Sequence, residues 1–170
     1  DAPKVWDIVM KQGKDEGLIP AGFGALDLLR IEAGLILFGN EFDGQVDPFE
    51  AGIGFTVPLK TKSEDFIGRE SLIKRKDNPQ KKLVGLELVG KEKANNGDCV
   101  HIERSQVGIV TSGCISPTLN KNIALCRIDI KHSEIGTEVE VGKIDGHQKR
   151  IPAKIVPFPH FDPKKTRVRS

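Results

Sequence analysis

Three charged residues lie among apolar neighbours in the segment from Gly22 to Gly34: Asp27, Arg30 and Glu32. On a helix, the three-residue spacing of Asp27 and Arg30 places both side chains on one face. A guanidinium oriented in this way can fix a carboxylate ligand through two parallel N–H donors. The same spacing also fits a structural ion pair that only holds the helix. The pattern therefore predicts either an anion-binding arginine or a helix-pinning one.

Other patterns that could carry chemistry give weaker signals. Ser112 and Ser116 flank Cys114, but the Gly-x-Ser-x-Gly elbow of a hydrolase is absent. The glycines of Gly52-Ile-Gly54 lack the rest of a dinucleotide fingerprint. The three cysteines form no C-x-x-C pair, and the four histidines lack the spacing of a helical metal site. We therefore predict reduced cysteines in the core and no metal.

The composition is that of a globular protein without a nucleic-acid or membrane signature. With 38% hydrophobic residues among 170, the chain can bury a core. Its 26 Lys and Arg against 24 Asp and Glu give a net charge of +2, without the clustered positive field of a nucleic-acid binder. No apolar run approaches the ~18 residues of a membrane helix. We expect neither nucleic acid nor membrane as a partner.

The first 80 residues are predicted to be mainly helices and loops. Helical spacing of apolar residues indicates an amphipathic helix from Pro3 to Lys14 and a second from Gly22 to Ala33. Residues 35–48 are predicted as a loop, Gly52 to Leu59 as a strand, and Gly68 to Lys76 as a short helix. Two helices and one strand cannot cover each other's apolar faces, so we expect this part to pack on sequence outside the chain.

The remaining residues are predicted to form an all-β domain. Six short alternating segments are separated by Gly, Asn and Pro: Leu83–Val89, Cys99–Glu103, Gln106–Ser112, Ile123–Ile130, Glu138–Val141 and Arg150–Val156. Strands at this spacing are typical of a compact β-barrel or sandwich. We therefore predict an α+β chain with two parts, residues 1–80 and residues 81–170.

Several motifs in a fixed order carry a resemblance to a known family. They are Arg30-Ile-Glu-Ala-Gly-Leu-Ile-Leu-Phe-Gly-Asn40, Asp47-Pro-Phe-Glu-Ala-Gly52, Asp65-Phe-Ile-Gly-Arg-Glu70, the run from Val107 to Thr118, Asn122-Ile-Ala-Leu125 and Gly136-Thr137. Together they resemble the C-terminal part of the glycine cleavage T-protein (aminomethyltransferase) family. The resemblance implies an incomplete α/β portion of the folate-binding T-protein fold over residues 1–80, followed by a C-terminal antiparallel β-barrel over residues 81–170.

The resemblance also implies an activity, a cofactor and partners. The family transfers a one-carbon unit to tetrahydrofolate, and in the T-protein that unit is an aminomethyl group on the lipoyl arm of a partner protein. The family's catalytic Asp and most of its pterin contacts belong to an N-terminal half. The chain begins with Asp1 rather than Met, so we expect a fragment that contains no catalytic residue and is inactive without its missing N-terminal half.

The resemblance assigns candidate cofactor-binding residues. Arg30 falls on the family's ligand-binding arginine, with Asp27 and Glu32 expected to orient its guanidinium. Phe38 stands where the family often has Tyr, so a ring for stacking remains. Arg167 in the basic C-terminal segment could reach the folate tail, although a solvated basic terminus is the simpler interpretation.

Two departures from the family pattern leave the exact activity open. Leu26 stands where the family often has Arg, and the chain contains no Tyr. Two alternatives are the one-carbon half of a folate-dependent demethylase or dehydrogenase, and a non-catalytic folate-binding scaffold. A catalytic Asp in upstream sequence would separate an enzyme from a scaffold. The expected compartment is the cytoplasm, or the mitochondrial matrix in a eukaryote.

Overall fold

Six antiparallel strands form a closed barrel in the computed structural model, which describes residues 1–62, 64–144 and 149–167. The strands are β1 (Lys81–Leu88), β2 (Cys99–Ile102), β3 (Ser105–Ser116), β4 (Lys121–Asp129), β5 (Glu138–Gly142) and β6 (Arg150–Val156). Around the barrel they follow the order β1-β4-β3-β2-β5-β6, and β6 pairs with β1 to close it. The prediction of an α+β chain with a C-terminal antiparallel barrel is confirmed.

Alternation along the strands builds the interior of the barrel. In β6, Ile151, Ala153 and Ile155 point inward and are buried, whereas Pro152 and Lys154 between them are exposed. Leu86, Val100 and Val110 do the same from other strands and are fully buried. Because each strand sends every second side chain to the same centre, the barrel closes its own core.

Three α-helices precede the barrel: α1 (Ala2–Gly13), α2 (Phe23–Glu32) and α3 (Arg69–Asp77). Each lies within two residues of its predicted position. Helix α2 packs on the outside of β3 and β4, where a second apolar cluster forms. That cluster consists of Ile31, Leu83, Cys114, Ile123 and Leu125, with Leu28, Ile36, Leu119 and Phe158 at its edge.

The segment after β6 returns to α2 and fastens it to the barrel. The backbone N–H of Phe161 donates to the carbonyl of Glu32 at 2.8 Å. Phe158 lies against Gly34, where an added Cβ would come within 2.8 Å of its ring. Gly34 also has a φ of +68°, so the end of α2 requires glycine both for its backbone and for this contact.

Helix α1 has an amphipathic sequence but no buried residue. Val5, Trp6, Ile8 and Val9 are each more than half exposed. Nothing within the described residues covers this apolar face, as the sequence analysis anticipated for the region before the barrel. No helix in the described ranges is long and apolar enough to cross a membrane.

The strand predicted over Gly52 to Leu59 is wrong. The chain instead makes turns and a short 3₁₀ helix over Gly54–Thr56. Asp47 caps the preceding turn by accepting the N–H groups of Phe49 and Glu50 at 2.9 and 3.0 Å. An added Cβ at Gly54 would lie 2.5 Å from the Phe49 ring, so the segment folds back on itself and has no strand to pair with.

Candidate functional site

Arg30 is the centre of a buried polar cluster between α2 and β3. Its Nε donates to Asp27 Oδ1 at 2.8 Å, one terminal nitrogen donates to Glu41 Oε2 at 2.6 Å, and the other donates to Ser112 Oγ at 2.7 Å. Arg30 is only 7% exposed. The predicted Asp27–Arg30 pair is present, and the guanidinium is held on all three nitrogens.

Glu41 closes this cluster from the loop after α2. Its side chain is fully buried, and besides Arg30 it accepts the Leu37 N–H at 2.9 Å and the Ser112 hydroxyl at 2.5 Å. Asn40 donates its side-chain amide to the same hydroxyl at 3.1 Å. A buried carboxylate is tolerated only when it is paired and hydrogen-bonded. The loop conformation and the Arg30 position are therefore determined together.

A register shift in β3 brings its polar side chains to this face. Between Val110 and Ser112 the pairing with β4 shifts by one residue. Val110 belongs to the barrel core, whereas Cys114 belongs to the cluster under α2. A bulge of this kind re-aims the residues that follow it. Ser112 thereby reaches Arg30, and Ser116 reaches Glu32.

Glu32 does not orient Arg30, contrary to expectation. It is 2% exposed, and its Oε1 accepts the hydroxyl of Ser116 and the backbone N–H of Thr118, the latter at 3.3 Å. Residues two positions apart on a helix face different directions. The side chain of Glu32 therefore points to the turn between β3 and β4 and not to the guanidinium. In the structure its contacts fasten α2 to that turn, and Asp27 and Glu41 hold Arg30.

The other two candidate residues lie on the surface. Phe38 is 70% exposed and makes an edge-on contact with Phe42, with 5.6 Å between ring centroids. The Arg167 guanidinium lies 5.1 Å from the centroid of the Phe161 ring, and its backbone N–H donates to Asp162. The segment that carries Arg167 is the one that fastens to α2 at Glu32. Phe38 keeps an accessible ring face, as a stacking residue requires.

A small open pocket lies beside Arg30, and we call it the α2–barrel pocket. Its volume is about 160 Å³. Three elements line it: α2 with Asp27, Arg30 and Ile31, the segment from Lys93 to Asn96, and Thr111 to Gly113 of β3, together with Asn40. Each terminal nitrogen of Arg30 has a second N–H that the described residues leave without an acceptor. The pocket can therefore offer donors to a polar ligand.

Cys114 lies near this site but is not a nucleophile. Burial and the nearby Glu32 carboxylate raise the pKa of its thiol to about 11, so it stays protonated at neutral pH. Cys126 inside the barrel has its pKa raised to about 12, chiefly by burial. All three cysteines are free, and two of them are buried, which agrees with the prediction of reduced core residues for that pair.

The sequence analysis did not identify Glu41 and Ser112 as partners of Arg30. Glu41 is 11 positions from Arg30 and Ser112 is 82 positions away, so no local periodicity connects them. One signal was available in the sequence. Thr111 and Ser112 interrupt the apolar run of β3, and two adjacent polar residues inside a buried strand indicate either a bulge or a polar partner.

Comparisons with known proteins match both parts of the chain. The model of the glycine cleavage T-protein C-terminal barrel domain matches residues 81–162. The model of the GCVT N-terminal domain matches residues 1–61. The barrel match covers all six strands, and the other covers α1, α2 and the loop that carries Glu41.

Two kinds of relatives, which carry different names, align with this chain. A trimethylamine-oxide aldolase of Ruegeria pomeroyi is 60% identical over 169 residues, which is 99% of this chain and 21% of the relative. An aminomethyltransferase of Listeria monocytogenes is 46% identical over 162 residues, which is 95% of this chain and 42% of the relative. That of Halalkalibacterium halodurans is 44% identical, with 95% and 43% covered. The chain thus spans less than half of the relatives it matches.

A solved structure shares the fold. The aminomethyltransferase T of the glycine cleavage system from Bartonella henselae superposes with a TM-score of 0.81 over 92% of this chain and 43% of that chain. The sequence identity is 24%, so this likeness concerns the fold alone.

Proposed function

Because the chain belongs to the glycine cleavage T-protein family, we propose that it is the C-terminal part of an enzyme that transfers a one-carbon unit to tetrahydrofolate. The observation that carries the proposal is the ordered match to both family models, over α1 and α2 and then over the barrel. We call the longer polypeptide that would contain this chain the intact enzyme. The exposed apolar face of α1 supports it, because such a face is what an additional domain would cover.

Aminomethyl transfer is the first candidate reaction, and the aminomethyltransferase relatives support it. In this proposal the lipoyl arm of a partner protein delivers an aminomethyl group. Tetrahydrofolate takes the carbon to become methylenetetrahydrofolate, the nitrogen leaves as ammonia, and the lipoyl arm remains in its reduced form. The free cysteines suit the reducing cytoplasm, or the mitochondrial matrix in a eukaryote, that we propose as the compartment.

A methylated amine oxide as donor is the second candidate, because the relative named trimethylamine-oxide aldolase shares 60% identity with this chain and the two aminomethyltransferases share 44 and 46%. Splitting trimethylamine oxide in the manner of an aldolase gives dimethylamine and formaldehyde. Formaldehyde condenses with tetrahydrofolate to methylenetetrahydrofolate and water. In both candidates this chain would serve the same acceptor, tetrahydrofolate.

Within this proposal the chain supplies binding groups rather than a catalytic acid or base. Arg30 would bind an anionic part of the folate or donor with the N–H groups that Asp27, Glu41 and Ser112 leave unused. Phe38 would offer its exposed ring to a planar part of the ligand. Arg167 would reach the folate tail from the segment that fastens to α2. Glu32 would hold α2 in place through its contacts with the turn between β3 and β4.

The test supplies the intact enzyme with tetrahydrofolate and one donor at a time, either the aminomethylated lipoyl protein or trimethylamine oxide. Methylenetetrahydrofolate formation with one donor would identify the reaction. Formation with neither, together with no binding of a folate, would overturn the proposal. The 170-residue chain alone is expected to give no product, because positioning and proton transfer need groups that it does not contain.

The Arg30→Ala variant of the intact enzyme tests the binding role of the guanidinium. Loss of a charge-assisted contact is worth about 1.5–3 kcal/mol, or roughly ten- to hundredfold in folate affinity. Arg30→Lys should recover little, because an ammonium does not reproduce the planar set of donors. If Arg30→Ala lowers the melting temperature but leaves the affinity of the folded protein unchanged, Arg30 only pins the helix.

A further inference from the structure

Lys93 lines the α2–barrel pocket and forms no ion pair with the described residues. We propose that Lys93 binds the carboxylate of a ligand in this pocket and is the residue that makes the pocket accept an anion. The inference rests on the proposed function, because the ligand would be the folate or an amine donor of that enzyme. In this inference Lys93 supplies the positive charge that attracts the carboxylate, and Arg30 supplies hydrogen-bond donors to it.

The charges around Arg30 explain why a second cation is needed. The Arg30 guanidinium is offset by two carboxylates, Asp27 at 2.8 Å and Glu41 at 2.6 Å. Arg30 with these two partners carries a net charge of −1, so an incoming carboxylate needs a further positive charge beside it. Lys93 lines the same pocket, and no acidic side chain of the described residues lies within ion-pair distance of its ammonium. With Lys93 the four groups are neutral, and without it they are anionic.

The backbone of Lys93 is fixed by a buried ion pair. The ammonium of Lys143 donates to the carbonyl of Lys93 at 2.9 Å and to Asp98 Oδ2 at 2.8 Å. Asp98 also accepts the N–H of Asn95 at 2.8 Å. The side chains of Lys143 and Asp98 are only 6% and 4% exposed. A buried pair of this kind makes the 93–98 segment part of the rigid barrel end rather than a free loop.

Gly113 of β3 allows the segment that contains Lys93 to pack closely on that strand. An added Cβ at Gly113 would lie 2.4 Å from the carbonyl oxygen of Ala94, so this approach is possible only with glycine. Next to it, the side-chain amide of Asn96 donates to the carbonyl of Thr111 at 2.9 Å. The backbone around Lys93 is thus held on both sides while its side chain remains exposed. A ligand would have to order only the lysine side chain, which keeps the entropic cost of binding low.

The size and charge of the pocket select the ligand group. A cavity of about 150 Å³ holds a benzene-sized molecule, so an open pocket of about 160 Å³ has room for a carboxylate at the end of a chain. Asp27 at the rim and Glu41 behind Arg30 disfavour a dianion such as a phosphate. A monoanionic carboxylate can pair with Lys93 and accept the unused N–H groups of Arg30. Such a group occurs in the glutamate tail of folate and in amino-acid donors.

The test compares probes with and without a carboxylate, using calorimetric binding to the intact enzyme. One pair is 5-formyltetrahydrofolate and 5-formyltetrahydropteroate, which lacks the glutamate. The other pair is N,N-dimethylglycine and trimethylamine oxide. Lys93→Met removes the charge and nearly keeps the volume, and Lys93→Arg restores a cation. Lys91→Met is the matched control, since Lys91 is exposed in the same segment but does not line the pocket.

We expect Lys93→Met to weaken one carboxylate-bearing probe by roughly ten- to hundredfold and to leave its carboxylate-free counterpart unchanged. Lys93→Arg should recover much of the loss, and Lys91→Met should cause none. The affected pair identifies the source of the carboxylate, folate tail or donor. If folate binds but neither pair depends on Lys93, the inference is overturned and the proposed function stands. If no folate binds and dimethylglycine binding depends on Lys93, the inference stands and the proposed function is overturned. If no carboxylate probe binds at all, the inference and the proposed function are both overturned.

Discussion

The barrel buries its apolar residues, whereas the first helix before it leaves them exposed. Leu86, Val100 and Val110 of the barrel are fully buried, and every strand contributes to one interior. In α1, by contrast, Val5 and Trp6 are 58% and 57% exposed and no residue is buried. The barrel has a core of its own, whereas α1 has a face without a partner among the described residues. We therefore expect the barrel to be stable by itself and α1 to be only weakly held in the 170-residue chain.

Helix α2 lies between these extremes, because its attachment to the barrel combines an apolar cluster with buried polar contacts. Its last turn buries Arg30, Ile31 and Glu32, whereas Phe23 and Leu26 in its earlier turns are exposed. Two carboxylates and two serine hydroxyls do much of the fastening. Polar contacts of this kind fix a single geometry, because each buried charge is costly when its partner moves.

The largest expected effect is the removal of the Glu41 carboxylate from this junction. Glu41→Ala removes the buried carboxylate that pairs with Arg30 and leaves the guanidinium paired with Asp27, whose side chain is 56% exposed. Breaking a buried pair in this way costs about 3–5 kcal/mol. Urea denaturation of the 170-residue chain measures the loss. The matched variant Arg30→Met/Glu41→Leu removes both charges and should cost clearly less. Equal losses for the two variants would mean that packing, rather than the buried ion pair of Arg30 with Glu41, holds the junction.

A core truncation in the barrel is expected to cost slightly less. Leu86→Ala leaves a cavity in a fully buried position, for which about 2–5 kcal/mol is typical. Leu26→Ala in α2 is the control, because Leu26 is 58% exposed and surface substitutions usually stay within about 0.5 kcal/mol. The two variants are compared by their urea midpoints. A similar loss at both positions would show that the barrel and α2 do not differ in the way described.

The segment after β6 gives the barrel a pH dependence through His160. The ring of His160 donates from Nε2 to the Ala124 carbonyl at 3.1 Å and covers Gly85. Burial lowers the pKa of His160 below its ordinary value of 6.5, against the opposing effects of that hydrogen bond and of Glu87. As pH falls below 6.5, the unfolded chain takes up the proton first, so stability decreases until the pH reaches the lowered folded pKa.

His160→Gln isolates this contribution, since the glutamine amide can still donate to the Ala124 carbonyl but does not titrate. The free energy of unfolding of the parent chain should fall between about pH 7.5 and about pH 5.5 by more than that of the variant. The other histidines are present in both proteins and cancel in the comparison. Parallel pH profiles would show that His160 has the same proton affinity in the folded and unfolded chain.

The parts predicted from sequence are those whose signals are local. Each strand of the barrel shows its own alternation, so all six segments were identified, and α1 and α2 followed from their helical spacing. The strand predicted over Gly52 to Leu59 failed because a few alternating residues also suit the turns and the short 3₁₀ helix that follow the turn capped by Asp47. Two or three alternating residues do not distinguish a strand from a turn when no partner strand can be identified.

The site depends on contacts that no local pattern contains. Arg30 and Asp27 could be paired from their spacing, but the pairing of Arg30 with Glu41 instead of Glu32 depends on how the loop after α2 returns to the helix. The position of Ser112 depends on the bulge in β3, which a sequence shows only as two adjacent polar residues. Tertiary packing decides both, and it overrides the sequence spacing of the charged residues.

The smallest effect is expected for Trp6, and it most directly tests the exposed face of α1. In the 170-residue chain Trp6→Ala should change the free energy of unfolding by no more than about 0.5 kcal/mol, because Trp6 is 57% exposed and makes no core contact. In the intact enzyme we propose that this face is covered, so the same substitution should cost about 3–5 kcal/mol there. Since Trp6 is the single tryptophan of the chain, its fluorescence in the 170-residue protein should show a solvent-exposed emission maximum. A buried emission maximum, or a large loss of stability in the 170-residue chain, would mean that α1 already packs on the barrel and needs no further domain to cover it.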